Sequence, residues 1–199
     1  MKAEAFLFDI GNVIITFDFG KAAARLASQC RVPVEEIVPL VSPLTPALER
    51  GEIEVSEFID GASRVIGYEG GEDSFRAAFE DIFELNQPMA ELIGRLSGSV
   101  ALHLLSNTNG IHVPFFESRF PVFEHFEGRI YSHEVGLMKP DPAIYEHTAE
   151  RLDLVPERTV YIDDLPENCE AGRRAGFVAL PYEVGAHDRF LEAVDPCLP

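Results

Sequence analysis

The sequence predicts an α/β fold: a parallel sheet flanked by helices, with an all-helical insertion after the first strand. Three observations lead there. Short apolar runs at residues 5–10, 100–105, 159–162 and 177–180 read as strands, and the first three stop at clusters of polar or glycine residues, as strands buried on both faces do. Helical patterns at 89–96, 142–152, 166–175 and 186–194 alternate with those runs, and such alternation builds a parallel sheet with right-handed crossovers. Residues 18–87 break the alternation with helical periodicity punctuated by Pro33, Pro39, Gly51, Gly67 and Gly70.

Taken in chain order, the first run ends at Gly11-Asn12 and places Asp9 near its carboxyl end. The insertion carries a phenylalanine stripe, Phe75, Phe79 and Phe83, at helical spacing, which reads as the core of a compact helical unit. The second run ends in Ser106-Asn107-Thr108-Asn109-Gly110, and the third in Asp163-Asp164. Ligands of open parallel sheets bind beyond the carboxyl ends of the strands. A single Asp after a strand is usually a turn residue or a cap, but three polar endings on different strands of one sheet converge.

Composition narrows the chemistry. The 199 residues carry a formal net charge of −18, which argues against nucleic acid, because neutralising a phosphate backbone takes clustered Lys and Arg. A phosphorylated ligand would therefore need a cation brought to it, and a bound divalent metal is the usual means. No window reaches the ~18 apolar residues that span a bilayer, and the N-terminus lacks the marks of a secretory signal. Cys30, Cys169 and Cys197 have no metal-ligand or C-x-x-C spacing, which suits reduced thiols in a cytoplasmic protein. His133-Glu134 does not continue into a zinc motif, there is no G-x-S-x-G elbow, and His112 reads as a surface-loop residue or one lining the entrance to a site.

Four segments carry a resemblance. FDIGNVI, LLSNTN, MKPDPAIY and VYIDD resemble, in order, the four motifs of the haloacid dehalogenase-like hydrolases. The likeness covers most of the chain, and its specificity lies in the four together. It implies a Rossmann-like core over residues 1–17 and 88–199, with a type 1 helical cap over 18–87, in which LERGEI resembles the elbow common in such caps. The nearest whole-chain likeness is to bacterial α-D-glucose-1-phosphate phosphatases with an FDLGNV motif; the phosphatase domain of soluble epoxide hydrolases is more distant.

The resemblance implies a magnesium-dependent phosphatase acting on a small phosphorylated metabolite, with a sugar phosphate such as glucose 1-phosphate favoured. Asp9 would be the nucleophile, since a carboxylate divides a difficult hydrolysis through an aspartyl-phosphate. Mg²⁺ would be held by Asp9, the backbone carbonyl of Gly11 and Asp164, with Asp163 in or just outside that shell. Lys139 would keep Asp9 ionised and shield the phosphoryl oxygens, and Ser106 with the backbone N–H of Asn107 would complete the phosphate contacts. The formal charge of −3 on Asp9, Asp163 and Asp164 would then be cancelled by Mg²⁺ and Lys139. A monomer is the default expectation.

One position departs from the family pattern. The usual phosphatase carries a second Asp two residues after the nucleophile, which serves as general acid and base; here that residue is Gly11. Such a group contributes roughly 10² to 10⁴ in rate. Either Asp18 takes its place, or the leaving group departs with little help, as an anomeric phosphate would. A metal-independent haloacid dehalogenase, and a regulatory protein that binds phosphate esters without turning them over, are the alternatives.

Overall fold

The computed structural model describes residues 2–198. Strand β1 (Ala5–Phe8) leads through a tight turn into the short β2 (Ile15–Phe17). Five helices follow: α1 (Phe19–Leu26), α2 (Val34–Val41), α3 (Thr45–Glu49), α4 (Val55–Ile66) and α5 (Glu72–Glu80). Then β3 (Phe83–Leu85) pairs antiparallel with β2, Phe17 opposite Phe83 and Ile15 opposite Leu85. The rest of the chain runs α6 (Gln87–Leu96), β4 (Ala101–Ser106), α7 (His112–Arg119), β5 (Gly128–Tyr131), α8 (Ser132–Val135), α9 (Pro142–Arg151), β6 (Thr159–Asp163), α10 (Pro166–Arg174), β7 (Val178–Pro181) and α11 (His187–Val194). No helix among the described residues is long and apolar enough to cross a membrane.

The main sheet has five strands in the order β5-β4-β1-β6-β7, all parallel. β1 is central, and every residue in it is buried. Side chains alternate across a strand: Phe6 and Phe8 enter one core with Met89, Leu92 and Phe190, while Leu7 enters another with Ile144, Tyr145 and Ala171. Both faces are thus covered by helices, which is why these strands read as unbroken apolar runs.

The five helices between β2 and β3 close around a core of their own, built on Phe58, Ile66, Phe75 and Phe79. Asp18 caps α1 by accepting a 2.8 Å hydrogen bond from the Gly20 N–H. The Glu54 N–H donates to Glu57 at the start of α4, and Gly67 ends that helix at φ +63°, a left-handed conformation that glycine adopts without a Cβ penalty.

The expected phenylalanine stripe is divided by the backbone. Phe75 and Phe79 lie on α5, but that helix stops at Glu80 and Phe83 belongs to β3. The guanidinium of Arg25 donates to both the backbone oxygen and the carboxylate of Asp81, holding the chain where it turns out of the helix. Residues 111–135 also hold elements the pattern did not signal. β5 is a four-residue edge strand with Arg129 exposed, too short and too polar to show an apolar run. α7 carries Pro114 in its first turn, where the missing N–H costs little.

Candidate active site

The three central strands end at one edge of the sheet: Asp9 directly follows β1, Ser106 closes β4 and Asp163 closes β6. The chain builds β4 and β5 on one side of β1, then crosses to build β6 and β7 on the other, so Asp9 stands at the switch point where a crevice opens. Oxygen atoms of Asp9, Asp163 and Asp164 all lie within 4.8 Å of one another.

Lys139 reaches this edge from the loop between α8 and α9. A lysine before proline in a loop is ordinarily solvated, but this one is 5% exposed. Its ammonium donates to Asp9 at 2.7 Å, to Asp163 at 2.6 Å and to the Leu105 carbonyl at 3.1 Å, which uses all three of its protons. Burial alone would lower its pKa, yet the charges and hydrogen bonds of Asp9 and Asp163 outweigh that and hold it protonated, well above the usual lysine range. The Asn107 side chain sets the loop: its Nδ2 donates to the Lys139 carbonyl, and its Oδ1 accepts from the Lys139 N–H, each at 2.9 Å.

The three carboxylates have different surroundings. Asp163 accepts from Lys139 and Tyr161 on one oxygen, and from the Leu165 N–H and Asn168 on the other. Those four bonds fill its acceptor sites. Burial pushes its pKa up, but Lys139 and the remaining donors prevail, and it stays below the usual carboxylate range. Asp9 has a single side-chain partner among the described residues, so burial raises it to about 6, with Lys139 opposing and Asp163 adding to the rise. Asp164 is half-buried and raised mainly by desolvation; it accepts one side-chain bond, at 3.1 Å, from Asn12. Asn12 has φ +52°, a left-handed conformation that asparagine tolerates.

Asp9, Gly11, Asn12, Ser106, Lys139 and Asp164 line one cavity. The hydroxyl of Ser106 is buried, and its one hydrogen bond among the described residues is a long 3.4 Å contact to the Asn107 carbonyl, which leaves it able to meet an incoming oxygen. Asp9, Asp163 and Asp164 carry a formal −3 against +1 on Lys139. Two hard carboxylates with acceptor capacity to spare, in a cavity left with net negative charge, suit a small divalent cation.

Residues 3–176 match the haloacid dehalogenase-like hydrolase family. The chain belongs to that family. It is 26% identical over 182 residues to a sesquiterpene phosphatase of Aspergillus oryzae, covering 89% of this chain and 88% of that one. It is 25% identical over 189 residues to a D-ribitol-5-phosphate phosphatase of Bacteroides thetaiotaomicron, covering 90% and 92%. A haloacid dehalogenase-family enzyme of the same bacterium, solved in complex with magnesium and inorganic phosphate, superposes with a TM-score of 0.82 at 26% identity, covering 92% of this chain and 96% of that one.

Within this hydrolase, Gly11 faces the ring of Phe17: a Cβ built at position 11 would meet Phe17 Cε1 at 3.0 Å. An aromatic ring therefore occupies the space beside the position where the family's usual second Asp would sit. In this structure Asp18 does not line the cavity that would need its carboxyl. It is exposed, and its carboxylate is engaged in capping α1. Three contributors escaped the sequence reading. Tyr161 lies two residues before Asp163 and so shares its strand face, a signal that was available; Asn168, in the first turn of α10, and Asn12, in the turn after β1, show their roles only in space.

His112 is not a surface-loop residue. It is 6% exposed on α7, with Nε2 against the Phe79 carbonyl and Nδ1 against the Asn109 amide, both at 3.1 Å. Because the Asn109 oxygen already accepts the backbone N–H groups of Ile111 and His112, its amide nitrogen faces Nδ1, and the ring is neutral. Burial lowers the His112 pKa to about 4 from 6.5. Between those values the unfolded chain binds a proton that the folded one does not, so stability falls as pH drops through the window. For His112→Phe, which keeps a ring in the stack, the loss of unfolding free energy between pH 7 and pH 4.5 is expected to be smaller than in the parent by about 2–3 kcal/mol. Urea titrations at both pH values measure it, and an unchanged difference would show that His112 does not set the acid sensitivity.

Proposed function

We propose that the protein is a Mg²⁺-dependent phosphatase that cleaves a phosphomonoester through an aspartyl-phosphate on Asp9. One observation carries the reading: the Asp9 carboxylate is held by the buried ammonium of Lys139 and shares a cavity with Gly11 and Asp164. Asp9, the Gly11 carbonyl and Asp164 are the residues that would hold the ion. Asp163, with its four acceptor sites filled, anchors Lys139 and lies outside that set. When bound, the ion neutralises the phosphoryl charge and polarises the phosphoryl oxygens.

Asp9 attacks phosphorus, and the bond from phosphorus to the leaving oxygen breaks. The buried charge of Lys139 offsets the negative charge that spreads over the phosphoryl oxygens, and the Ser106 hydroxyl meets one of them. With Gly11 in place of a carboxylic acid, the leaving oxygen takes its proton from water. A second water molecule then attacks the phosphorus of the aspartyl-phosphate, the bond from phosphorus to the Asp9 oxygen breaks, and the proton this water loses neutralises the hydroxide left by the first, releasing inorganic phosphate and restoring the Asp9 carboxylate. We read α1–α5, within residues 18–87, as a cap over a core of 1–17 and 88–199, which closes to exclude water during the reaction.

The relatives' names span a sesquiterpene phosphatase and a ribitol-phosphate phosphatase. Both are consistent with a small phosphorylated metabolite; the second agrees with the sugar phosphate that the FDLGNV likeness favours, and the first with an apolar leaving group. Phosphate release from p-nitrophenyl phosphate is expected with Mg²⁺ and to fall to background in EDTA, with recovery on restoring the ion. Halide release without magnesium would replace the phosphatase by a dehalogenase, and phosphate-ester binding without turnover would replace it by a regulator.

A further inference from the structure

Beyond the carboxylates, the cavity that holds Asp9 shares Gly11, Phe17, Ser106 and Asn107 with a second cleft. That cleft shares Phe19 and Glu49 with a third, running between the helices of the inserted unit. The walls of this path are rings. Phe17 meets Phe19 with centroids 5.5 Å apart, Phe19 meets Phe79 at 5.7 Å, Phe79 stacks on His112 at 4.8 Å, and His112 meets Phe83 at 5.0 Å. Deeper in, Leu26, Ile37, Val38 and Val41 line the third cleft. At the phosphate end, two large apolar side chains stand open at the cavity: Phe17 at 40% exposure and Leu165 at 44%.

Among the described residues, the Ser106 hydroxyl at the nucleophile end keeps only a long contact and the Thr108 hydroxyl beside it has no partner, while the other uncharged polar side chains of the two clefts are engaged. Both ends of the Asn107 amide are bound to the backbone of Lys139, and both nitrogens of His112 have partners while its ring packs against Phe79 and Phe83. Glu49 is the one charged residue lining the second and third clefts, and it makes no hydrogen bond or ion pair among the described residues. Burial pushes its carboxyl pKa up, against the pull of Arg50, and burial pushes His112 down; both shifts favour the neutral form. A polyol leaving group would bring several hydroxyls into this space and find few partners, each unpaired group costing affinity. A hydrocarbon would find rings and branched aliphatic side chains.

We infer that the leaving group of the substrate is a hydrocarbon chain, linear or branched, carrying at most one hydroxyl besides its phosphate, and that it lies along the path from Phe17 past Phe19 toward Val38. This inference rests on the phosphatase reading and specifies its substrate class. It also accounts for the aromatic ring against Gly11: the surface beside the nucleophile is shaped for an apolar group.

The test is a series of n-alkyl phosphates from ethyl to octyl, whose leaving groups are nearly equal in chemistry, assayed with Mg²⁺ beside glucose 1-phosphate and p-nitrophenyl phosphate. The value of kcat/KM is expected to rise roughly two- to four-fold per methylene until the path is filled, with octyl phosphate exceeding glucose 1-phosphate. In Phe19→Ser the ratio of octyl to ethyl turnover is expected to collapse several-fold; because it is a ratio, partial loss of folded protein does not move it. Hydrolysis of p-nitrophenyl phosphate with a flat alkyl series, or with glucose 1-phosphate preferred, would overturn the inference and leave the phosphatase intact. No Mg²⁺-dependent release from any ester would remove both.

Discussion

Lys139→Met is expected to destabilise the folded protein by about 3–5 kcal/mol, the usual cost of removing one partner from a buried ion pair. The ammonium is the cation between Asp9, at 2.7 Å, and Asp163, at 2.6 Å, and all three residues are buried. Methionine fills similar volume, so the loss reports electrostatics rather than a cavity. The pH dependence separates this from a packing fault. In the parent, Asp9 has a pKa of about 6 when folded against an ordinary 3.8, so the folded state binds the extra proton between those values and stability falls as pH rises through them. Without Lys139 the rise is larger and the window extends upward, so the variant's deficit, measured in EDTA, should be greater at pH 8 than at pH 5. A deficit under 1 kcal/mol, equal at both pH values, would mean that Lys139 does not hold the carboxylates together.

The second large effect is on chemistry. Asp9→Asn is expected to lower kcat by at least about 10⁴, as loss of a nucleophile does in enzymes that form covalent intermediates. Stability should move little: the amide keeps the shape and removes the repulsion with Asp163, while Lys139 keeps its 2.6 Å bond to Asp163. Rapid quenching of the parent during turnover should yield chain phosphorylated at Asp9, and the variant should yield none. Activity within ten-fold of the parent, or a phosphoryl group found on another residue, would remove Asp9 from the proposed mechanism.

Much of the frame was legible because it depends on local pattern. β1, β4 and β6 are apolar runs that end abruptly in polar residues, so Asp9, Ser106 and the Asp163-Asp164 pair could be placed at strand ends. The edge strand β5 could not be read in this way, since four residues with an exposed arginine carry no periodic signal. The helix α7 was hidden by Pro114, which is tolerated in a first turn. The division of the phenylalanine stripe was equally invisible: periodicity at 75, 79 and 83 looks the same whether or not the helix stops at Glu80.

The sequence by itself determined the alternating α/β frame, the helical insertion and the strand ends at which the carboxylates stand, because burial on both faces of a parallel sheet demands continuous apolar runs. Only the tertiary structure decided how neighbouring carboxylates divide their roles. Asp163 is saturated by Lys139, Tyr161, Leu165 and Asn168, while Asp9 and Asp164 each keep a single side-chain partner. Those donors come from a strand, a helix and a loop, with 130 residues separating Lys139 from Asp9. Hydrogen-bond saturation and desolvation are set by what surrounds a group in space, and no local pattern in the chain records them.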